Sequence, residues 1–282
     1  MAVLINKITI CGYGLIGGCM SLDFQKQRGS KTSLVTAYDR PTVLSRLKKN
    51  KTHKVSTEKN FNKAVSGSDI IILSATHTAN EQMLIRLSKT KDLTNCLIID
   101  TGAVKNPIKR VSRKLKFQTG TQFLPTHPMA GREKKGFENS SGKLFSNHAW
   151  YLEDSVKLNK TNKAKLNWMI KKLRAKPTYI TAELHDELVS EISHLPQLIS
   201  TLLGAQVNHK LIQLAGPGLK SMLRLSGSPY SVWAEIIDNN RKEIIKSLKL
   251  YSENMNMVIG RIKNKKSLEE VFRSASRSYK CL

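Results

Sequence analysis

Several short segments carry side chains whose types and spacing can do chemistry. Gly12-Tyr-Gly14-Leu15-Ile16-Gly17 stands directly behind an apolar run and opens a helix-like stretch over 17–27. Glycines so spaced permit a tight turn, close approach of a pyrophosphate to the backbone and close packing of helix on strand, with the helix N-terminus facing the phosphates. A second apolar run ends at Asp39, 22 residues beyond Gly17, where a carboxylate can accept hydrogen bonds from the hydroxyls of an adenine ribose. A carboxylate there repels a 2′-phosphate, which predicts NAD as cofactor; the adjacent Arg40 can offset the repulsion, so NADP stays possible. Asp100-Thr101-Gly-Ala103-Val-Lys105 follows another apolar run and His127-Pro-Met-Ala-Gly-Arg-Glu133 the next. Ser193-His-Leu-Pro-Gln197 lies on a helical stripe ahead of Arg224 and Trp233. An imidazole titrates near neutral pH and can take a hydroxyl proton, and a guanidinium fork matches a carboxylate.

The elements that must position these residues follow from periodicity. Short apolar runs at 7–11, 34–38, 70–74, 97–100, 122–126, 149–152 and 178–180 alternate with longer mixed stretches such as 42–50 and 78–90, the pattern of strands and crossover helices in a parallel sheet. From Ala182 onward apolar residues recur at three and four: Leu184, Leu188, Ile192, Leu195 and Ile199 form one stripe, with a kink expected at Pro196, and a second runs from Val232 to Ile259. The expected fold is α/β: a Rossmann-type doubly wound parallel sheet over 1–181, then an all-helical domain over 182–282. Lysine and arginine outnumber acids by 47 − 21 = 26, which raises nucleic acid, an anionic membrane or anionic substrates as partners. Nucleic acid is disfavoured because 34 of the 47 cations are dispersed lysines without interleaved aromatics. A membrane span is disfavoured because no apolar run approaches the ~20 residues required. The four cysteines, Cys11, Cys19, Cys96 and Cys281, show neither CxxC pairs nor zinc-like spacing, so neither a metal nor a disulfide scaffold is expected. No charged n-region or cleavage site precedes the first apolar run, which predicts a cytoplasmic protein.

Taken in order, GxGLIGG, DxGxVK, HPMAGxE…LF, HD followed by SHLP, and R…SP…W resemble the prephenate/arogenate dehydrogenase family of tyrosine biosynthesis, over essentially the whole chain. The resemblance implies oxidative decarboxylation of a cyclohexadiene that bears a ring carboxylate and a ring hydroxyl, with hydride passing to NAD. Prephenate going to 4-hydroxyphenylpyruvate is the leading expectation and arogenate going directly to tyrosine the alternative. His127 matches the family's base and Arg224 the arginine that binds the ring carboxylate. Asp186 and Glu133 match acids near the mouth, Asp186 as a partner that orients Arg224, while Ser193, Gln197 and Trp233 match the wall of the site. Cofactor contacts are implied for Gly12, Gly14, Leu15, Ile16, Gly17, Asp39, Arg40, Ala75, Thr76 and Thr101. A homodimer through the helical domain is implied as well.

The chain departs from the family at Ala103, where a serine helps to orient the histidine; a water or Thr101 replaces that hydroxyl, or turnover is reduced. It departs again at Gln197, which stands in place of a histidine that approaches substrate, and this bears on the choice between prephenate and arogenate. Ser221 stands where some relatives carry a second acid close to the arginine. Other readings are a related Rossmann-plus-helical dehydrogenase, a catalytically degenerate homologue and a basic nucleic-acid-binding protein.

Overall fold

Strands buried on both faces are apolar at nearly every position rather than at every second one. That is how β1 (Ile8–Cys11), β2 (Val35–Tyr38), β4 (Ile70–Leu73) and β5 (Leu97–Asp100) read in the computed structural model, which describes residues 3–25, 34–132 and 134–281, with only the backbone at 209 and 211. Short β3 (Ser56–Thr57) and β6 (Gln122–Leu124) flank them in one parallel sheet of order β3-β2-β1-β4-β5-β6. Strand order reverses between β1 and β4, and the crevice at that switch point is where open α/β sheets bind ligands.

Alternate side chains of these strands feed two cores. Ile8, Ile10, Ile70, Ile72, Leu97 and Ile99 pack with Met20 and Phe24 of α1 (Leu15–Phe24) and with Leu44 and Leu47 of α2 (Pro41–Lys49). Ile71, Leu73 and Ile98 pack on the opposite face with α3 (Phe61–Val65), α4 (His77–Ser88) and α5 (Asn106–Ser112). The helix expected over 17–27 begins earlier, at Leu15, and its end at 27 lies outside the described residues.

The run expected as one strand over 122–126 divides at Pro125, which has no N–H to offer a ladder. Beyond it, β7 (Thr126–Pro128) leaves the main sheet and pairs antiparallel with β8 (Ala149–Glu153), with His127 opposite Tyr151. After α6 (Lys160–Leu173), β9 (Lys176–Ile180) pairs parallel with β8. The last two expected strands therefore build a separate three-stranded sheet rather than extend the first.

Thr181 caps α7 (Ala182–Val189), its hydroxyl accepting the Leu184 N–H at 3.3 Å. A π turn (Ser190–His194) joins α7 to α8 (Leu195–Gln206) just ahead of Pro196. Then come α9 (Pro217–Leu223), α10 (Tyr230–Asn239), α11 (Arg241–Lys263) and α12 (Glu269–Tyr279). The apolar stripe read on the first of these helices does not face the core: Leu184 is 48% and Ile192 55% exposed, whereas His185, Asp186, Ser190, His194, Gln197 and Ser200 are buried. Among the described residues no helix is long and apolar enough to cross a membrane.

Candidate active site

The glycine loop forms a cradle at the switch point. Gly12 adopts φ +92°, and a Cβ there would fall 2.5 Å from Ala75 N, so neither the backbone conformation nor the space admits another residue. Gly17 meets Gly12 O in the same manner, at 2.7 Å, which lets α1 close on β1. A Cβ on Gly14 would meet nothing within 4 Å: this residue, at the N-cap of α1, offers bare backbone to the crevice, with Leu15 and Ile16 opening the helix behind it. The Asp39 carboxylate, at the end of β2, accepts the Tyr13 N–H and the Arg40 N–H, each at 2.6 Å. A cavity of about 350 Å³ beside it is lined by Tyr13, Gly14, Asp39, Arg40, Arg46 and Lys135, among others. On the other side of the crevice, Thr101 donates to Ser74 Oγ at 3.1 Å, and Thr76 stands at the N-cap position of α4 without a side-chain bond to it. Bare amides at a helix N-terminus, an acid at the adjacent strand end and cations at the rim fit a dinucleotide.

The second cluster begins at the end of β5. Asp100, fully buried, accepts the Gly102 and Thr126 N–H groups at 3.0 Å each and pairs with the Lys105 ammonium, which also donates to Thr126 O at 2.6 Å. Burial drives the Lys105 pKa down, opposed by Asp100. This ion pair fastens β7 to the end of β5 and so fixes the position of the next residue, His127.

His127 Nδ1 lies 3.0 Å from His185 Nε2, and His185 Nδ1 lies 2.8 Å from Asp186 Oδ1. A carboxylate accepts only, so His185 carries its proton on Nδ1 and accepts at Nε2. His127 must then donate from Nδ1, which leaves its Nε2 lone pair to act as a base. Tyr151 stands edge-on to His185, with centroids 5.1 Å apart, and the two histidine rings are 5.2 Å apart. Burial, reinforced by His185, Lys105 and His194, holds the His127 pKa well below the usual histidine range. Burial lowers His185 too, against the pull of Asp186. Neither His185 nor Tyr151 was singled out from the sequence; the HD pair was the available signal.

Of the alternatives for the missing Ala103 hydroxyl, Thr101 does not take its place, since Thr101 turns to Ser74 and His127 takes its partner from His185. Asp186 does not orient Arg224: its carboxylate accepts the Lys105 N–H at 2.7 Å, the Asn106 N–H at 2.8 Å and His185. Gln197 is buried and donates to Leu225 O at 2.8 Å and to Thr201 Oγ1 at 3.2 Å, one residue from Arg224 at the turn between α9 and α10. Ser193 lies on the π turn, half-buried. Trp233, also half-buried, stands edge-on to His194 at 5.8 Å. His194 bonds Asn240 at 3.2 Å, and burial lowers its pKa to about 4. Glu133 lies outside the described residues. Two contacts join α10 to the cofactor side: the Thr78 N–H donates to Glu235 at 3.2 Å and Lys135 donates to Ser231 at 2.6 Å.

A parallel sheet whose switch point carries a glycine cradle, with a poised histidine between it and a helical second domain, defines a nucleotide-binding oxidoreductase of the Rossmann type. Two family descriptions match the chain: "Prephenate dehydrogenase, nucleotide-binding domain" over residues 24–179 and "Prephenate dehydrogenase, dimerization domain" over 181–275. The chain belongs to the prephenate dehydrogenase family. The first matched stretch starts at residue 24, so the glycine cradle stands ahead of it. Prephenate dehydrogenase of Lactococcus lactis is 25% identical over 93% of this chain and 73% of its own length; that of Bacillus subtilis is 24% identical over 85% and 66%. The crystal structure of prephenate dehydrogenase from Aquifex aeolicus, in complex with hydroxyphenyl propionate and NAD+, is 20% identical and superposes with a TM-score of 0.83 over 99% of this chain and 98% of that one.

Proposed function

We propose that the protein oxidises and decarboxylates prephenate to 4-hydroxyphenylpyruvate, with NAD as hydride acceptor. One observation carries the reading above the others: a His127–His185–Asp186 chain, its inner two members buried, that leaves the half-buried His127 with an unprotonated Nε2 between the dinucleotide cradle and the helical domain. The glycine cradle and Asp39 would hold NAD, which when bound would supply the acceptor for the hydride that leaves C4 of the ring. His127 Nε2 takes the proton of the C4 hydroxyl as that carbon becomes a carbonyl. Loss of CO2 from C1 then supplies the electron pair that makes the ring aromatic, and the resulting phenolate oxygen takes the proton back from His127. Arg224 binds the ring carboxylate until it leaves, a task suited to a guanidinium fork. A base whose pKa is held low by burial is neutral, and therefore ready, at physiological pH.

The test is reduction of NAD and of NADP at 340 nm with prephenate and, separately, arogenate. Turnover of prephenate with NAD is expected. Turnover of arogenate alone would reassign the substrate, and silence in all four combinations with NADH binding intact would overturn the reading in favour of a degenerate homologue.

The same proposal includes a cytoplasmic homodimer. The helical region exposes Leu202, Leu214, Met222, Tyr230, Ile245, Leu250 and Ile262, Leu214 at 83%, and large apolar side chains concentrated in one region support its burial against a second copy. Sedimentation at micromolar concentration should give twice the chain mass, and a monomer would refute this part.

A further inference from the structure

The turn that carries Arg224 lies on α8, and two buried side chains of that helix grip its backbone on both sides of the arginine. Gln197 Nε2 donates to Leu225 O at 2.8 Å. Ser200 Oγ donates to Met222 O at 2.7 Å and accepts the Ser226 N–H at 3.0 Å. Gly204 continues the same face one turn on, where an added Cβ would already lie 3.4 Å from Leu223 and Ser226. Positions 197, 200 and 204 share one side of a helix, three and four residues apart, so this stripe of α8 is shaped to receive segment 222–226. Within the segment, Ser226 Oγ closes the turn on Leu223 O at 2.7 Å.

We propose that Gln197 and Ser200 are positioning residues for Arg224: they act on the substrate's ring carboxylate through the arginine and do not touch the substrate themselves. This assignment rests on the proposed role of Arg224. It also accounts for a glutamine at 197. Its amide N–H matches the Leu225 carbonyl, and a carboxylate of the same shape would set oxygen against oxygen there.

The product, 4-hydroxyphenylpyruvate, has lost the ring carboxylate, and this separates positioning from general damage. Gln197→Glu and Ser200→Ala should each raise the KM for prephenate by about tenfold or more, since the first loses the bond to Leu225 O and the second loses two, to Met222 O and from the Ser226 N–H. The inhibition constant of 4-hydroxyphenylpyruvate, the dissociation constant of NADH and the Tm should stay within about twofold or a few degrees of the parent values. Ser200→Ala guards against misfolding caused by the buried acid. In an Arg224→Ala background the same two substitutions should change the KM by less than about twofold, because residues that act through one another are not additive. If Arg224→Ala leaves the KM for prephenate unchanged, the role given to Arg224 fails. If it raises the KM while Gln197→Glu and Ser200→Ala do not, or if their effects persist in its background, the positioning assignment is overturned. Weakening of prephenate and product binding in equal measure would overturn it as well.

Discussion

Replacing His185 by phenylalanine isolates the relay from the packing around it. A phenyl ring keeps the edge contacts to Tyr151 and His127, at 5.1 and 5.2 Å, and leaves Asp186 its two backbone N–H donors. What is lost is the acceptor 3.0 Å from His127 Nδ1. A buried donor left without its partner costs about 1–3 kcal/mol. The proton can then migrate to Nε2, where it blocks the lone pair the reaction needs. At about 1.36 kcal/mol per decade, kcat should fall by roughly 5- to 150-fold. The assay is NADH formation at 340 nm as a function of pH, with NADH binding measured by fluorescence as a control for an intact cradle. A kcat within twofold of the parent would refute the relay. Asp186→Asn is the poorer probe, since the new NH2 group must face a backbone N–H in either orientation.

For the parent enzyme, the base must be neutral and its pKa is depressed, so kcat/KM should hold its plateau below pH 6.5; an acidic limb at or above 6.5 would contradict the assignment of His127. The folded state also lowers the pKa values of His53, His77, His185 and His194, chiefly by burial. The unfolded chain therefore binds more protons below pH 6.5, and stability should decline from there toward the folded-state values, by about 1.4 kcal/mol per pH unit for each fully titrating group. A Tm that does not fall between pH 7 and 5 would speak against burial of these rings. Gly12→Ala should abolish NADH binding, because it combines a forbidden φ with a 2.5 Å overlap on Ala75; retained binding by fluorescence titration would remove the cradle from the cofactor site. Asp39→Ser should lower kcat/KM for NAD and raise it for NADP, shifting the ratio by about tenfold or more toward NADP; an unchanged ratio would show that Arg40, Arg46 and Lys135 set the preference instead.

Much of the first domain is legible in the sequence because parallel strands are buried on both faces. ITIC, IIIL and LIID stand out as unbroken apolar runs, each followed by its glycine, N-cap or acid. Ser56–Thr57 was invisible, being two residues long and half-polar. The split at Pro125 was written in the sequence yet masked by the apolar residues around it. The roles of Asp186 and Gln197 were beyond sequence reasoning for a different reason. A motif places residues near a site but does not say where their hydrogen bonds go. Asp186 meets backbone 80 residues away and His127 meets a ring 58 residues away, and such pairings exist only in the fold.

The helical stripe misled in the most informative way. A period of three to four locates an apolar face without saying whether a core or a second chain covers it. In α7 the inward face mixes Ala182 and Val189 with His185 and Asp186, and in α8 it is polar. His185 and Asp186 serve the base, and beyond the π turn Gln197 and Ser200 hold the arginine's segment, while Leu184, Ile192 and Leu202 point outward. A polar inward face gives little hydrophobic stabilisation, so the order of these helices must come from satisfied hydrogen bonds within and from apolar contact without. The helix that positions both ends of the proposed chemistry is thus also one of those with an apolar face left uncovered in the single chain. If the proposed second copy closes that face, the base relay and the carboxylate clamp should stiffen together, and assembly would then act on catalysis through these joined helices.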